Sequence, residues 1–328
     1  MKELVLTATG GPENFELREA EARAPAANEI RVKNAAIGVN FIDIYQRKGL
    51  YPVFLPATLG QEGAGTVIEA GAQTSFRPGD RVAYLSGGGA YAEEIVLDAA
   101  RAARIPHGLS DDAAAASFLK GLTAEMLLRQ VYPLKEGEVA LVTAAAGGVG
   151  LLLCQWAVHL KARVIAVVGD ASKESAVRAL GCRDVIDRSR TPDVAGAVRM
   201  LTNGRGADVA YDSVGKATFE ASLDSLGLRG MMVSYGNASG PVPPVAPLDL
   251  TRRGSLTLAR PSLFHYATPD RLAGMAAAVF DLLTAGTLKP TIAATFPLAQ
   301  GPDAHRLLEA GKTIGSIILK PQDPSCGR

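Results

Sequence analysis

The chain has 328 residues, 48% of them hydrophobic and 20% charged, with 34 Lys and Arg against 33 Asp and Glu. A net charge of +1 supplies no global field to gather nucleic acid or an anionic bilayer. No segment approaches the ~20 apolar residues of a membrane span, and the apolar run after Met1 is too short for a signal peptide.

The length suits two domains. In the first part, residues 29–33 and 65–69 alternate polar and apolar as half-buried strands do. Gly10-Gly11-Pro12 and Arg77-Pro78-Gly79-Asp80 are turn signals between them. Residues 1–122 therefore read as a β-rich module of short strands and turns. The rhythm then changes to strand–helix alternation. Strands are expected at 139–143, 163–168, 184–187, 207–212, 230–235 and 255–259. Helices are expected from about Gly147, over 172–180 with Ser172 as N-cap, over 191–201 and over 216–227. That alternation implies an α/β domain with a doubly wound parallel sheet over 123–267. From about 268 a long helix and strands ending at Leu319 return to the first module, so 1–122 and 268–328 form the other domain. Cys154, Cys182 and Cys326 are scattered and odd in number, which points to a reducing, cytoplasmic compartment rather than a disulfide framework.

The run Val142-Thr143-Ala144-Ala145-Ala146-Gly147-Gly148-Val149-Gly150 carries the most chemistry. A buried strand, a glycine turn and a helix follow one another. The N–H groups that open a helix have no partner within it, and together with the helix dipole they can hold a pyrophosphate. Gly147 lets the backbone approach the phosphate, and Gly150 lets the helix pack on the strand. Ala145 stands where the usual G-x-G-x-x-G pattern has its first glycine. A strand before it and a helix after it set this turn apart from an ordinary αβ connection.

Several stretches together resemble one family along nearly the whole chain. They are Ala36-Ile37-Gly38-Val39-Asn40-Phe41-Ile42-Asp43, Lys48-Gly49-Leu50-Tyr51-Pro52, Leu59-Gly60-Gln61-Glu62-Gly63 and Phe118-Leu119-Lys120-Gly121-Leu122-Thr123. The glycine turn, Tyr211-Asp212-Ser213-Val214-Gly215, Ser234-Tyr235-Gly236-Asn237 and Arg260-Pro261-Ser262-Leu263 complete the set. The chain is similar to the zinc-free quinone oxidoreductases, the zeta-crystallin-like group of the medium-chain dehydrogenase/reductase superfamily. The resemblance implies a β-rich GroES-like catalytic domain and a Rossmann NADPH-binding domain. It further implies homodimers joined through the dinucleotide domain, for which residues 255–259 read as an edge-like strand.

The same resemblance sets Asn40 where the zinc alcohol dehydrogenases have a cysteine ligand, and Gln61 where they have a histidine. Neither amide is a good zinc ligand, and the chain has no cysteine before Cys154 for a structural zinc cluster. Glu62 is expected to support the fold beneath the site or to pair with an arginine. Val168 occupies the position of the acid that holds a ribose 2′-hydroxyl, so a 2′-phosphate is tolerated. Lys173 matches the family's lysine for that phosphate, and Arg188 is placed to clamp it. Asp170 is discordant, since it could repel the phosphate or bond the ribose of NADH.

By resemblance, Asn40 and Thr123 lie near the nicotinamide, and Tyr51 and Gln61 orient the substrate or donate a proton. Ala146, Gly147, Gly148, Val149, Gly169, Ser213, Tyr235, Gly236, Asn237, Pro261, Ser262 and Leu263 lie along the cofactor. Lys120 is a further candidate, with a purely structural role as its alternative. The implied reaction is metal-independent reduction of a quinone by NADPH. A second reading is reduction of an activated alkene, such as an enone or enoyl thioester. A third, of another class, is RNA binding or a crystallin-like role, which the near-neutral charge and 5% aromatic content argue against.

Overall fold

The computed structural model describes residues 1–321, and Cys326 lies outside them. The chain divides into two compact units. One comprises Met1–Leu122, Tyr266–Gly286 and the residues from Pro290 on; the other comprises Thr123–His265 with Thr287–Lys289.

The first unit is built on a seven-stranded sheet around the long strand Glu29–Val39, which pairs with Glu62–Ala70, Glu94–Asp98 and Ser316–Lys320. Ile292–Pro297 lies beyond Ser316–Lys320 and runs parallel to it. Ile30, Val32, Ile37, Val67, Val82 and Ile317 fill the core at no solvent exposure. Each such side chain contributes roughly 1.5–3 kcal/mol by leaving water. Gly38 sits opposite Glu62 in this sheet. A Cβ at Gly38 would come within 2.2 Å of the Glu62 carboxylate and 2.6 Å of the Ala115 carbonyl, so the close approach requires glycine.

Three helices stand in or beside this unit that strand periodicity does not reveal: Phe41–Arg47, Asp111–Glu125 and Gly301–Glu309. Phe41–Arg47 has only seven residues, too few to show a helical period. Asp111–Glu125 opens on two acidic residues, which suit the positive end of the helix dipole. Beyond Asp112 and Ala113 it is buried on every side, so no polar stripe marks it as helix. Gly301–Glu309 starts with Pro302 and Asp303, ordinary helix-opening residues.

The second unit holds a wholly parallel six-stranded sheet. Its strands are β1 (Val139–Val142), β2 (Arg163–Val168), β3 (Asp184–Asp187), β4 (Ala207–Asp212), β5 (Leu226–Ser234) and β6 (Thr257–Ala259). Their spatial order is β3-β2-β1-β4-β5-β6, the doubly wound dinucleotide order. Helices cover both faces, so β1 is buried throughout and reads as an unbroken apolar run. Val139, Leu141, Ile165, Ile186, Phe219 and Leu223 belong to its core.

Local bounds differ from the sequence expectation in instructive ways. β5 begins at Leu226, inside the stretch expected to be helical, and that helix is only Phe219–Asp224. The element after β2 is capped by Asp170 rather than Ser172: the Asp170 carboxylate accepts from the Ser172 N–H at 3.0 Å. A short 3-10 turn, Ala171–Lys173, precedes the α-helix Glu174–Arg178. An aspartate accepts from the N–H two residues on, so the turn is capped at Asp170 and opens before Ser172.

Candidate active site

In the second unit, every expected cofactor contact except Thr123 falls in or just after a loop at the carboxyl end of a parallel strand. β1 is followed by the glycine turn, β2 by Gly169, and β3 by Arg188. β4 is followed by Ser213, β5 by Tyr235-Gly236-Asn237 and β6 by Arg260-Pro261-Ser262-Leu263. In open α/β sheets this is the end that binds ligands, at the point where the strand order reverses between β1 and β4.

The turn after β1 is held at several points. Ala144 takes a positive φ of 46°, uncommon for a residue with a Cβ. The Ala145 N–H donates to the Val167 carbonyl at 3.1 Å and the Gly147 N–H to the Ala144 carbonyl at 2.8 Å. Gly147 is the N-cap of the helix Gly148–His159, so the N–H groups of Gly148, Val149 and Gly150 have no acceptor within the helix. At Gly150 a Cβ would meet the Ala144 carbonyl at 2.3 Å. Any side chain there would push the helix off the turn.

The loop after β4 is tied down by Asp212, which is fully buried. Its Oδ1 accepts from the N–H groups of Val214 and Gly215 at 2.8 and 2.9 Å, and its Oδ2 accepts from the Ser222 hydroxyl at 2.7 Å. The Thr143 hydroxyl accepts from the Ser213 N–H at 3.2 Å, joining this loop to the end of β1. Arg260 donates to the Ser234 carbonyl at 2.7 Å. With its amide turned to satisfy both neighbours, Asn237 accepts from Arg260 at 2.9 Å. Asp212 and Arg260 thus fix loops whose other members the sequence reading singled out.

Asp170 is engaged by its own loop: the Ser172 hydroxyl and N–H hold its carboxyl below the usual range. Lys173 follows on the same turn. Arg188 is anchored by its backbone N–H on the Val168 carbonyl at 3.0 Å, and its guanidinium reaches the Ala217 carbonyl at 3.4 Å.

In the first unit, the helix Phe41–Arg47 gathers three expected residues. Asn40 is its N-cap, and the Asp43 carboxylate accepts from the Asn40 N–H at 2.8 Å. Gln61 donates to Gln46 of this helix at 2.9 Å, and the Tyr51 ring meets the Tyr45 ring edge-on at 5.2 Å. Asn40 and Gln61 are buried and Tyr51 is half-buried. Thr123 belongs to the other unit, buried on the helix Asp111–Glu125.

Beneath Asn40 lies a fully buried Glu62. Its partner is not an arginine, as expected, but Lys120, with Nζ 2.7 Å from Oε1. Glu62 also accepts from Asn40 Nδ2 at 2.9 Å and from the Leu119 N–H at 2.7 Å. The lysine is reached because residue 120 falls on the buried face of a helix the sequence did not reveal. Asp43, Tyr91 and His305 form a second buried string that sequence reasoning missed. The Tyr91 hydroxyl lies 3.0 Å from Asp43 Oδ2 and 3.0 Å from His305 Nε2. Burial raises the Asp43 carboxyl to about 7 and lowers His305 to about 3.

This donor set does not fit a zinc ion. The amides of Asn40 and Gln61 are weak ligands, and the carboxylate beside them already faces an ammonium and two N–H donors. Among the described residues no three His, Cys, Asp or Glu side chains group as a metal site would need.

The family described as "Alcohol dehydrogenase GroES-like domain" matches residues 26–107, and that described as "Zinc-binding dehydrogenase" matches 148–280. The quinone oxidoreductase of Pseudomonas aeruginosa is 47% identical over 98% of this chain and 99% of its own. The chain belongs to the quinone oxidoreductase family of medium-chain dehydrogenases/reductases. Among solved structures of this family, that of Escherichia coli quinone oxidoreductase complexed with NADPH superposes with a TM-score of 0.95. It is 43% identical and covers 98% of this chain and 100% of its own. A 2-haloacrylate reductase from Burkholderia is 42% identical over 97% of this chain and 98% of its own.

Proposed function

We propose that this protein is an NADPH-dependent quinone reductase that works without a metal. The observation that carries the proposal is the six-loop carboxyl end of the parallel sheet, in a chain 47% identical to one quinone oxidoreductase and superposing closely on another bound to NADPH. The unit from Thr123 is the NADPH domain and the other unit the catalytic domain. Ala146, Gly147, Gly148 and Val149 hold the pyrophosphate through backbone N–H groups, and Gly169, Lys173 and Arg188 take the 2′-phosphate end. One oxygen of Asp170, Oδ1, is engaged in its own cap. Ser213, Tyr235, Gly236, Asn237, Pro261, Ser262 and Leu263 line the path toward the nicotinamide, with Asn40 and Thr123 beside it. When bound, NADPH supplies a hydride. Tyr51 and Gln61 orient the acceptor by hydrogen bonds, which supplies rate through proximity and geometry. A quinone takes electrons readily without a Lewis acid, which is consistent with a donor set unsuited to zinc.

The 2-haloacrylate reductase among the relatives favours a second reading, reduction of an electron-poor alkene at the same site. Turnover of NADPH against 1,4-benzoquinone, 2-chloroacrylate and a simple enone separates the two. Benzoquinone should give the highest kcat/KM. A preference for 2-chloroacrylate or the enone transfers the assignment to alkene reduction.

The protein is further proposed to be a cytoplasmic homodimer. The thiols of Cys154 and Cys182 are free, and among the described residues no helix is long and apolar enough to cross a membrane. β6 is an edge strand of the parallel sheet, and Leu228 of the neighbouring β5 is 85% exposed. An open edge beside exposed leucine suits pairing with a second copy.

A further inference from the structure

Two thiols of the second unit meet away from the cofactor loops. Cys154 lies in the buried middle of the helix Gly148–His159, and Cys182 lies in the loop just before β3. Both are free, at 0% and 2% exposure. The backbone brings them together. A Cβ on Gly181 would lie 3.1 Å from Val158 Cγ1, so this loop rests on the helix one turn beyond Cys154. Each thiol interacts most strongly with the other, Cys154 donating to Cys182. That bond pulls the Cys182 thiol below its ordinary range, while the same bond and then burial push the Cys154 thiol up. The thiolate is the nucleophilic form of cysteine, so the two sulfurs have different chemical roles. Cys182 is buried, but its neighbours Gly181 and Arg183 are exposed. A local opening of this loop is enough to admit an oxidant the size of water.

We propose that Cys154 and Cys182 form a site of reversible oxidation, which hydrogen peroxide closes to a disulfide. The Cys182 thiolate attacks one peroxide oxygen. The O–O bond breaks, and the departing hydroxide recovers as water the proton that Cys182 gave up. The Cys154 sulfur then attacks the sulfenic acid on Cys182. An S–S bond forms, the S–O bond breaks, and the Cys154 proton leaves with the hydroxide as a second water. In sum the two thiols lose two protons and two electrons, and one peroxide becomes two waters. In a reducing compartment such a bond is transient and serves as a redox sensor. It closes a loop over β2 and the helix Glu174–Arg178, and it ties that loop to the helix that opens on the glycine turn. Hydroquinones reoxidise in air with release of hydrogen peroxide, so the proposed reaction supplies the oxidant. That source, and not the site, rests on the proposed function.

The test uses the full chain with Cys326→Ser, in which these are the two remaining thiols. Folded protein is treated with hydrogen peroxide, quenched with catalase, unfolded and alkylated with iodoacetamide. The intact mass should fall by two hydrogens with no cysteine alkylated. Digestion should yield a cross-linked pair of peptides carrying Cys154 and Cys182, and dithiothreitol should return both thiols to full alkylation. Cys154→Ser should stop at a sulfenic acid on Cys182 that dimedone traps, whereas Cys182→Ser should leave Cys154 a thiol. Two alkylated cysteines after peroxide would overturn the proposal. So would added oxygen in place of the lost hydrogens, or a disulfide between two chains. Should either serine variant not fold, the two-thiol protein decides alone, since its mass and peptide map identify the bond. Failure of the reduced protein to turn over a quinone with NADPH would remove the functional reading and the source of oxidant. The thiol result with added peroxide would stand unaffected.

Discussion

Asp43 and Tyr91 meet in the centre of the first unit, with the tyrosine hydroxyl 3.0 Å from the carboxylate and both side chains shut off from water. Burial first, and then the nearby Glu62 charge, favour the protonated Asp43, while the Asn40 N–H, the Tyr91 hydroxyl and the Lys120 charge oppose this; the carboxyl ends at about 7. His305, on the other side of Tyr91, is lowered to about 3 by burial and by the Arg47 charge.

These two shifts predict opposing pH dependences of stability. Asp43 has a higher proton affinity folded than unfolded, so its contribution is complete below about pH 4 and is lost as pH rises to about 7. His305 has a lower one, so its contribution is complete above about pH 6.5 and is lost as pH falls toward 3. Between about pH 4 and 6.5 the two slopes offset each other. Asp43→Asn should therefore steepen the loss of stability on acidification, and His305→Gln should produce a decline on raising the pH toward neutrality. Urea unfolding of the three proteins at pH 5 and pH 8 measures this. Parallel behaviour of all three would show that neither group carries the shift.

Gly150→Ala should damage the cofactor turn more than Gly147→Ala does. The added Cβ at Gly150 would lie 2.3 Å from the Ala144 carbonyl, against 3.2 Å at Gly147. Overpacking of this kind costs roughly 1–3 kcal/mol. Thermal unfolding should show that loss for Gly150→Ala, and NADPH binding followed by nicotinamide fluorescence should weaken at least tenfold. Equal effects of the two substitutions would mean that the turn does not depend on this contact.

The 2′-phosphate assignment predicts a selective loss. Lys173→Ala should weaken a charged contact by roughly 1.5–3 kcal/mol, which raises the NADPH KM about tenfold to a hundredfold. The NADH KM should hardly move. Equal changes for both coenzymes would place Lys173 outside the phosphate site.

The proposed dimer predicts that Leu228→Lys, with a charge in place of a side chain that is 85% exposed, yields a monomer by sedimentation at micromolar concentration. A stable dimer in that variant would move the interface elsewhere.

The parallel sheet was legible because a strand buried on both faces reads as a continuous apolar run, and β2, β3 and β4 fall at the bounds expected. The turn at Gly150 was legible because a missing Cβ is itself a sequence signal. The surroundings of Asn40 were not. Their organiser is a seven-residue helix, and Lys120 sits on a helix buried nearly all round, so no polar stripe shows which face meets Glu62. Tyr91 and His305 are 214 residues apart, and only the strand pairing that joins the C-terminal segment to Glu29–Val39 brings them into one core. The Ser172 cap misled because Asp170, read as a cofactor residue, had a local role as the cap itself.

The central claim is tested most directly by NADPH consumption in the presence of 1,4-benzoquinone, using protein dialysed against a strong chelator and analysed for bound metal. The account predicts full turnover with zinc far below one atom per chain. Loss of turnover on chelation, restored by stoichiometric zinc, would contradict it.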